Sequence, residues 1–190
     1  MTGGPGPSWP ADVFGRPLVQ PDQRSCGAAA LVVARALLDP DHLPAVRTPE
    51  PFRSEVLAMH RRATSVTGGS GRLQVPWPRA LGTPPWAVSH ELERVTGLDH
   101  DVRPLLGDRT AAYERMVAAL RARQPVPVYV GNRWLPRHVV LAVEALDDGW
   151  RCYEPASGRL VDVTRRSFVE ARLALAGWDR AWCLVLPDTA

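Results

Sequence analysis

Proline constrains this chain more than any other residue. There are 19 in 190 residues. Each lacks a backbone N–H and clashes with the preceding turn of a helix, so this density rules out a simple helical bundle and demands many loops. The prolines crowd the first 23 residues, where residues 1–19 should form an irregular arm. They recur in Gly68–Trp86 (GGSGRLQVPWPRALGTPPW), the main part of a Gly/Pro-rich loop or flap over 65–86. The remainder has ordinary globular composition, 45% apolar against 23% charged. That excludes general disorder and suits one domain over 1–190 with a proper core.

Charge and cysteine usage narrow the function classes. All 23 basic residues are arginine, and 20 carboxylates leave a net charge of +3, too little for a nucleic-acid grip. No apolar run reaches the length of a membrane span, and the N-terminus has neither the basic nor the apolar region of a signal peptide. A cytoplasmic protein is therefore expected, with export by a signal-less route left open. Cys26, Cys152 and Cys183 are an odd number without a Cys-x-x-Cys pair. They imply no disulfide framework and no zinc site, and no cofactor or metal is expected.

The hydrophobic period changes along the chain. CGAAALVVARALLD, from Ser25 as N-cap to Asp39, predicts an apolar helix buried nearly all round. Pro51–Thr64 predicts a second, more exposed helix, and further helices follow at about Ala87–Thr96 and Arg109–Arg123. After Gln124 come short β-branched runs at 125–131, 138–146, 149–154, 159–163 and 180–186, interrupted by one short helix at about Thr164–Ala174. Helices first and an antiparallel sheet afterwards make an α+β domain.

Three residues combine into a reactive set. Cys26 begins the first helix, where unpaired amides and the positive dipole end favour a thiolate. Gly27 leaves room for a carbonyl to approach the sulfur. Gln20, six residues upstream, can supply an amide to an oxyanion beside the Cys26 N–H, with Gln23 as the alternative donor. Among five histidines, His42, His60, His90 and His100 read as solvated surface residues, whereas His138 opens an apolar strand behind a polar turn. Glu154 ends the following strand. Pairing through the Asp147–Gly149 turn brings it to the His138 end of the ladder, where it can orient the imidazole; Asp162 is the fallback acid. Cys152 and Cys183 read as core residues. Trp77 and Trp86 read as loop packing against the core, with a peptide groove as the alternative.

In this order, Gln20 six before a Cys26-Gly27 that opens an Ala-rich helix, a His138-Val-Val strand and Tyr153-Glu154-Pro-Ala-Ser-Gly resemble the papain-like cysteine peptidases. The pattern is most similar to the bacteriocin (double-glycine) leader peptidase family and its stand-alone relatives. Thr164-Arg-Arg-Ser-Phe168 and the final strand at Ala181–Leu186 are similar too, while residues 45–124 match poorly. The resemblance implies a papain-like α+β fold in which a buried nucleophile helix packs on a C-terminal antiparallel sheet. It also implies roles: Cys26 as nucleophile, His138 as general base, Glu154 as orienting acid and Gln20 as oxyanion-hole donor. Glutamate stands where the family usually has aspartate.

The expected function is thus a cysteine-dependent hydrolase that cleaves a peptide or other amide bond through a thioester, with a peptide or protein as partner. The same catalytic set serves deamidation, transglutamination and acyl transfer, including in an effector or toxin. A catalytically silent peptide-binding domain is the alternative from another class. The oligomeric state is left open.

Overall fold

A computed structural model describes residues 15–67, 73, 75, 77–78 and 82–188. The first part is helical. Helix α1 covers Cys26–Leu38, a 3₁₀ helix Pro40–Val46, α2 Pro49–Ala63 and α3 Pro85–Thr96. Strand β1 (His100–Pro104) and α4 (Arg109–Arg121) precede a run of strands: β2 Val126–Gly131, β3 Pro136–Leu146, β4 Gly149–Glu154 and β5 Arg159–Thr164. A short α5 (Arg165–Val169) and β6 (Arg180–Pro187) complete the order. The strands form one six-stranded sheet in the order β1-β6-β2-β3-β4-β5, with every pair antiparallel. This is the α+β arrangement expected from the sequence, a helical N-terminal part packed on a C-terminal antiparallel sheet.

Both faces of the sheet are covered, which explains why its strands read as almost unbroken apolar runs. On one face Tyr129, Val139, Leu141, Val143, Tyr153 and Val185 pack with α1 and with Phe52, Val56 and Met59 of α2 and Val88 and Leu92 of α3. On the other, Val128, Val140, Ala142, Trp150 and Cys152 pack with Tyr113, Met116 and Leu120 of α4 and Phe168 of α5. The period-two alternation is intact; both of its phases are apolar. Helix α1 lies deepest. Of its 13 residues only Arg35 and Leu38 escape burial, because Ala28, Ala29, Ala30, Ala34 and Ala36 let the sheet and two helices approach its backbone closely.

Four local expectations change. Strand β1 was invisible in the sequence because it is an edge strand, bonded to β6 alone, with a largely polar pattern (HDVRP). The helix expected over Thr164–Ala174 stops at Val169, since Ala171 turns to φ 53° and the chain continues irregularly to β6. Ser25 precedes α1 but does not cap it: its hydroxyl donates to the Asp22 carbonyl (3.2 Å). His60 and His100 are buried, at 8% and 5% exposure, not solvated. His100 opens β1 with its ring against the Leu98 carbonyl (2.9 Å), and burial lowers its pKa.

Residues 15–19 of the expected arm have neither helix nor strand; residues 1–14 lie outside the described set, as does most of the 65–86 loop between 68 and 81. The end of the arm is nonetheless docked. Leu18 N–H donates to Gly158 O (3.0 Å), Gln20 N–H to Pro155 O (2.8 Å), and the buried Tyr153 hydroxyl donates to the Leu18 carbonyl. Gly158 makes this approach possible. Its φ is +69°, and a Cβ there would lie 2.5 Å from Leu18 N, a backbone atom that cannot swing aside. Gly158→Ala is therefore expected to destabilise the fold by about 1–3 kcal/mol and to release the arm. Urea denaturation and faster hydrogen exchange at the Leu18 and Gln20 amides would show it; unchanged exchange at both would refute the docking argument.

Candidate active site

The site forms where the first turn of α1 meets the entry of β3. The loop into α1 is wound around Asp22. Its carboxylate accepts from Arg24 N–H (2.8 Å), and its carbonyl accepts from the Gln20 side-chain amide (2.7 Å) as well as the Ser25 hydroxyl, an Asx-type turn. Cys26 follows at the first position of the helix, 5% exposed, where the amide N–H has no intrahelical carbonyl to bond. Opposite, the β2–β3 turn is pinned by Asn132, whose Oδ1 accepts from Trp134 N–H (2.8 Å) and Leu135 N–H (3.0 Å). That fixes the angle at which Pro136–His138 enters the sheet.

His138 and Glu154 are both buried, and His138 Nε2–H donates to Glu154 Oε1 at 2.7 Å. Cys26 lies close enough to the imidazole for the sulfur to raise its pKa. Pairing through the turn does not set Glu154 directly opposite His138. Tyr153 pairs with Leu141, with an irregularity between Ala142 and Glu144. Continuing that register sets Glu154 level with Val140, two residues from His138. The carboxylate still reaches the ring, a span for which glutamate has one methylene more than aspartate. It is held there by Ala156 N–H on Oε1 and Ser157 N–H on Oε2, each 2.7 Å.

The electrostatics follow from this packing. Burial pushes the Glu154 carboxyl up, but hydrogen bonds from His138, Ala156 and Ser157 outweigh it and bring the pKa to about 2. Burial likewise works against charge on His138, yet hydrogen bonds to Cys26 and Glu154, together with their charges, raise its pKa to about 9. Both partners favour the protonated ring over the neutral one.

The remaining sequence candidates sort by position. Gln20 sits beside the Glu154 turn with its amide nitrogen on Asp22. It is not among the residues lining the cavity of about 420 Å³ that opens over Cys26 and His138, whereas Gln23 is. The space above Gly27 is not left for a substrate: a Cβ there would lie 2.8 Å from Thr83 Cβ. Thr83 closes that side, held by its carbonyl accepting from the buried Tyr129 hydroxyl (2.8 Å). Asp162 is taken by Arg151 at 2.6 and 2.9 Å, away from His138. Cys152 is buried in the core, where burial raises its pKa far beyond the ordinary thiol range. Cys183 is only half buried and reaches the cavity wall, its pKa raised to about 12 by burial. Trp77 and Trp86 line the same cavity, edge to face with centroids 5.1 Å apart, where loop packing had been the favoured reading. None of the other four histidines lines it.

Among the described residues no cluster of His, Cys, Asp and Glu has the arrangement of a metal site, and no helix is long and apolar enough to cross a membrane. No family model matches the chain. No curated protein matches it by sequence. Solved structures similar to it include a double glycine motif protease from an AMS/PCAT transporter in complex with the leader peptide, at 14% identity and a TM-score of 0.49, covering 89% of each chain. The peptidase domain of Streptococcus ComA, a bifunctional ABC transporter involved in quorum sensing, is similar at 14% identity and TM-score 0.48 over 90% of this chain and 96% of that one. The peptidase domain of Streptococcus mutans ComA is similar at 14% identity and TM-score 0.41 over 90% and 98%.

Proposed function

We propose that this chain is a papain-like cysteine-dependent hydrolase that cleaves a peptide bond through a Cys26–His138–Glu154 triad. The observation that carries the reading is the buried imidazole, hydrogen-bonded to Glu154 at 2.7 Å and lining the same open cavity as the thiol at the first turn of α1. Such a chain of partners fits the general scheme of an activated nucleophile, its base and the group that orients the base.

In this reading the imidazolium is the counter-ion of a Cys26 thiolate. The sulfur attacks the substrate carbonyl carbon, and the electron pair of the C=O bond moves to oxygen. The oxyanion is met by the Cys26 backbone N–H and by a side-chain amide. Gln20 is the donor we carry from the sequence, and Gln23 competes with it because it lines the cavity. Collapse breaks the C–N bond, and His138 gives its proton to the leaving amine. Water then attacks the thioester as His138 takes one of its protons. The second collapse expels the sulfur, restores the thiolate–imidazolium pair and releases a carboxylate. Glu154 stays ionised throughout and holds the ring in place.

Alkylation by iodoacetamide at neutral pH tests this. Cys26 is expected to be modified first, well ahead of Cys152 and Cys183, and faster than a free small-molecule thiol; Cys26→Ser should abolish that fast phase. Hydrolysis rates of Gln20→Ala and Gln23→Ala then identify the second oxyanion donor by the larger loss, on the order of 10²-fold or more. Cys26 reacting no faster than the free thiol would overturn the reading.

A further inference from the structure

Apart from the Cys26–His138 pair, the charged side chains described around the cavity are all basic. Among the described residues these are Arg24, two residues before the nucleophile, and Arg137, next to His138, and no described aspartate or glutamate lines it. Both arginines are exposed, and neither has an ion-pair partner among the described residues. Elsewhere the same residue type is often neutralised at close range, as where Glu91 meets Arg62 and Arg94, or where Arg151 meets Glu144 and Asp162. A net charge of +3 over 190 residues does not require a cavity wholly free of carboxylates.

The wall beside these arginines holds buried polar atoms with nothing to bond. The indole N–H groups of Trp77 and Trp86 and the Thr83 hydroxyl are shielded from solvent without a hydrogen-bond partner, yet all three residues line the cavity. Buried donors are ordinarily satisfied. Three unsatisfied ones around one cleft suit a ligand that brings acceptors, and the backbone carbonyls of an extended peptide are such acceptors. The indole rings also offer it an apolar surface.

We propose that the cleft selects a peptide with an acidic side chain close to the reacting amide. Arg24 and Arg137 would hold the carboxylate, and the Trp77–Thr83–Trp86 wall would hold the neighbouring backbone and an apolar side chain. This rests on the peptide-hydrolase reading for the nature of the ligand and refines its substrate class. Guanidinium–carboxylate pairing at the cleft mouth supplies selection and steering; the wall supplies contact area.

The test is a binding selection that needs no chemistry. A randomised decapeptide mixture is passed over the immobilised full chain carrying Cys26→Ala, and retained peptides are sequenced by mass spectrometry. Aspartate and glutamate are expected to be enriched several-fold. The enrichment should vanish or pass to lysine and arginine when Arg24→Glu and Arg137→Glu are added, and should weaken several-fold at about 0.5 M salt through screening. Trp86→Phe, which keeps an aromatic ring and removes the N–H, should weaken the best retained peptide about fivefold. Retention without acidic enrichment, enrichment indifferent to the two charge reversals, or no retention above a blank column each overturns the proposal. Circular dichroism of each variant confirms that the fold is intact. Alkylation of Cys26 reports on the chemical reading separately, so either conclusion can fail while the other stands.

Discussion

His138→Ala is expected to lower peptide hydrolysis by on the order of 10²–10⁴-fold, with a parallel slowing of Cys26 alkylation. The ring is hydrogen-bonded to Glu154, and Cys26 and Glu154 together raise its pKa to about 9. In the proposed mechanism its removal takes away both the cation beside the sulfur and the acid that protonates the leaving amine. The pH profile separates this from a loss of packing. In the parent chain the alkylation rate should change as pH passes about 9, where the imidazolium is lost; in His138→Ala that inflection should be gone. Alkylation as fast as in the parent, with the same profile, would remove His138 from the mechanism.

Glu154→Gln carries the second large effect, on stability as well as rate. The amide keeps the length of the side chain but not its charge, leaving a buried ring without its anionic acceptor. Breaking a buried charged pair in this way costs about 3–5 kcal/mol. The linkage signs are opposite for the two partners. Glu154 is depressed from its ordinary 4.5 to about 2, so its stabilisation is complete above 4.5 and lost as pH falls through 2. His138 is raised from 6.5 to about 9, so its stabilisation is complete below 6.5 and lost as pH rises through 9. The pair therefore stabilises most between pH 4.5 and 6.5. Urea midpoints measured from pH 3 to 10, on the order of one unit apart, should trace this plateau in the parent chain and flatten in Glu154→Gln. An NMR titration of the His138 ring should show its pKa falling in the variant. A pH–stability curve of unchanged shape would count against the pair. Hydrolysis should fall with it, since the ring loses the group that orients it.

How much could be read beforehand depends on how local the cause is. Helix α1 was legible because ten of the thirteen residues between Ser25 and Asp39 are alanine, valine or leucine, the composition of a buried helix. Strands β2 to β5 were legible because β-branched runs alternate with turn signals. Cys26, His138 and Glu154 were legible as a set because a helix start and two strand ends tie each to a local feature. The failures have non-local causes. Strand β1 exists because β6 offers it a free edge, and nothing in HDVRP announces that partner. His60 and His100 are buried by what packs on them, which no pattern around residues 60 or 100 describes. The Trp77–Trp86 wall faces Cys26 because Tyr129 anchors Thr83 from across the sheet, 46 residues away in sequence.

Proline density and the change of hydrophobic period were enough, by themselves, to determine an α+β domain, and local motifs within it to put forward the candidate site residues. Composition and backbone preference act within a few residues, so they survive in the sequence as spacing. What only the tertiary structure decided was the surroundings of those residues. It placed the Glu154 carboxylate 2.7 Å from the ring despite a shifted register, set Thr83 over Gly27, and docked Leu18 and Gln20 on the Glu154 turn through Gly158 and Tyr153. It also set Arg24 and Arg137 at the cleft with no carboxylate beside them among the described lining residues. These are contacts between segments tens of residues apart, set by packing and hydrogen-bond satisfaction in the folded chain, and no local pattern encodes them.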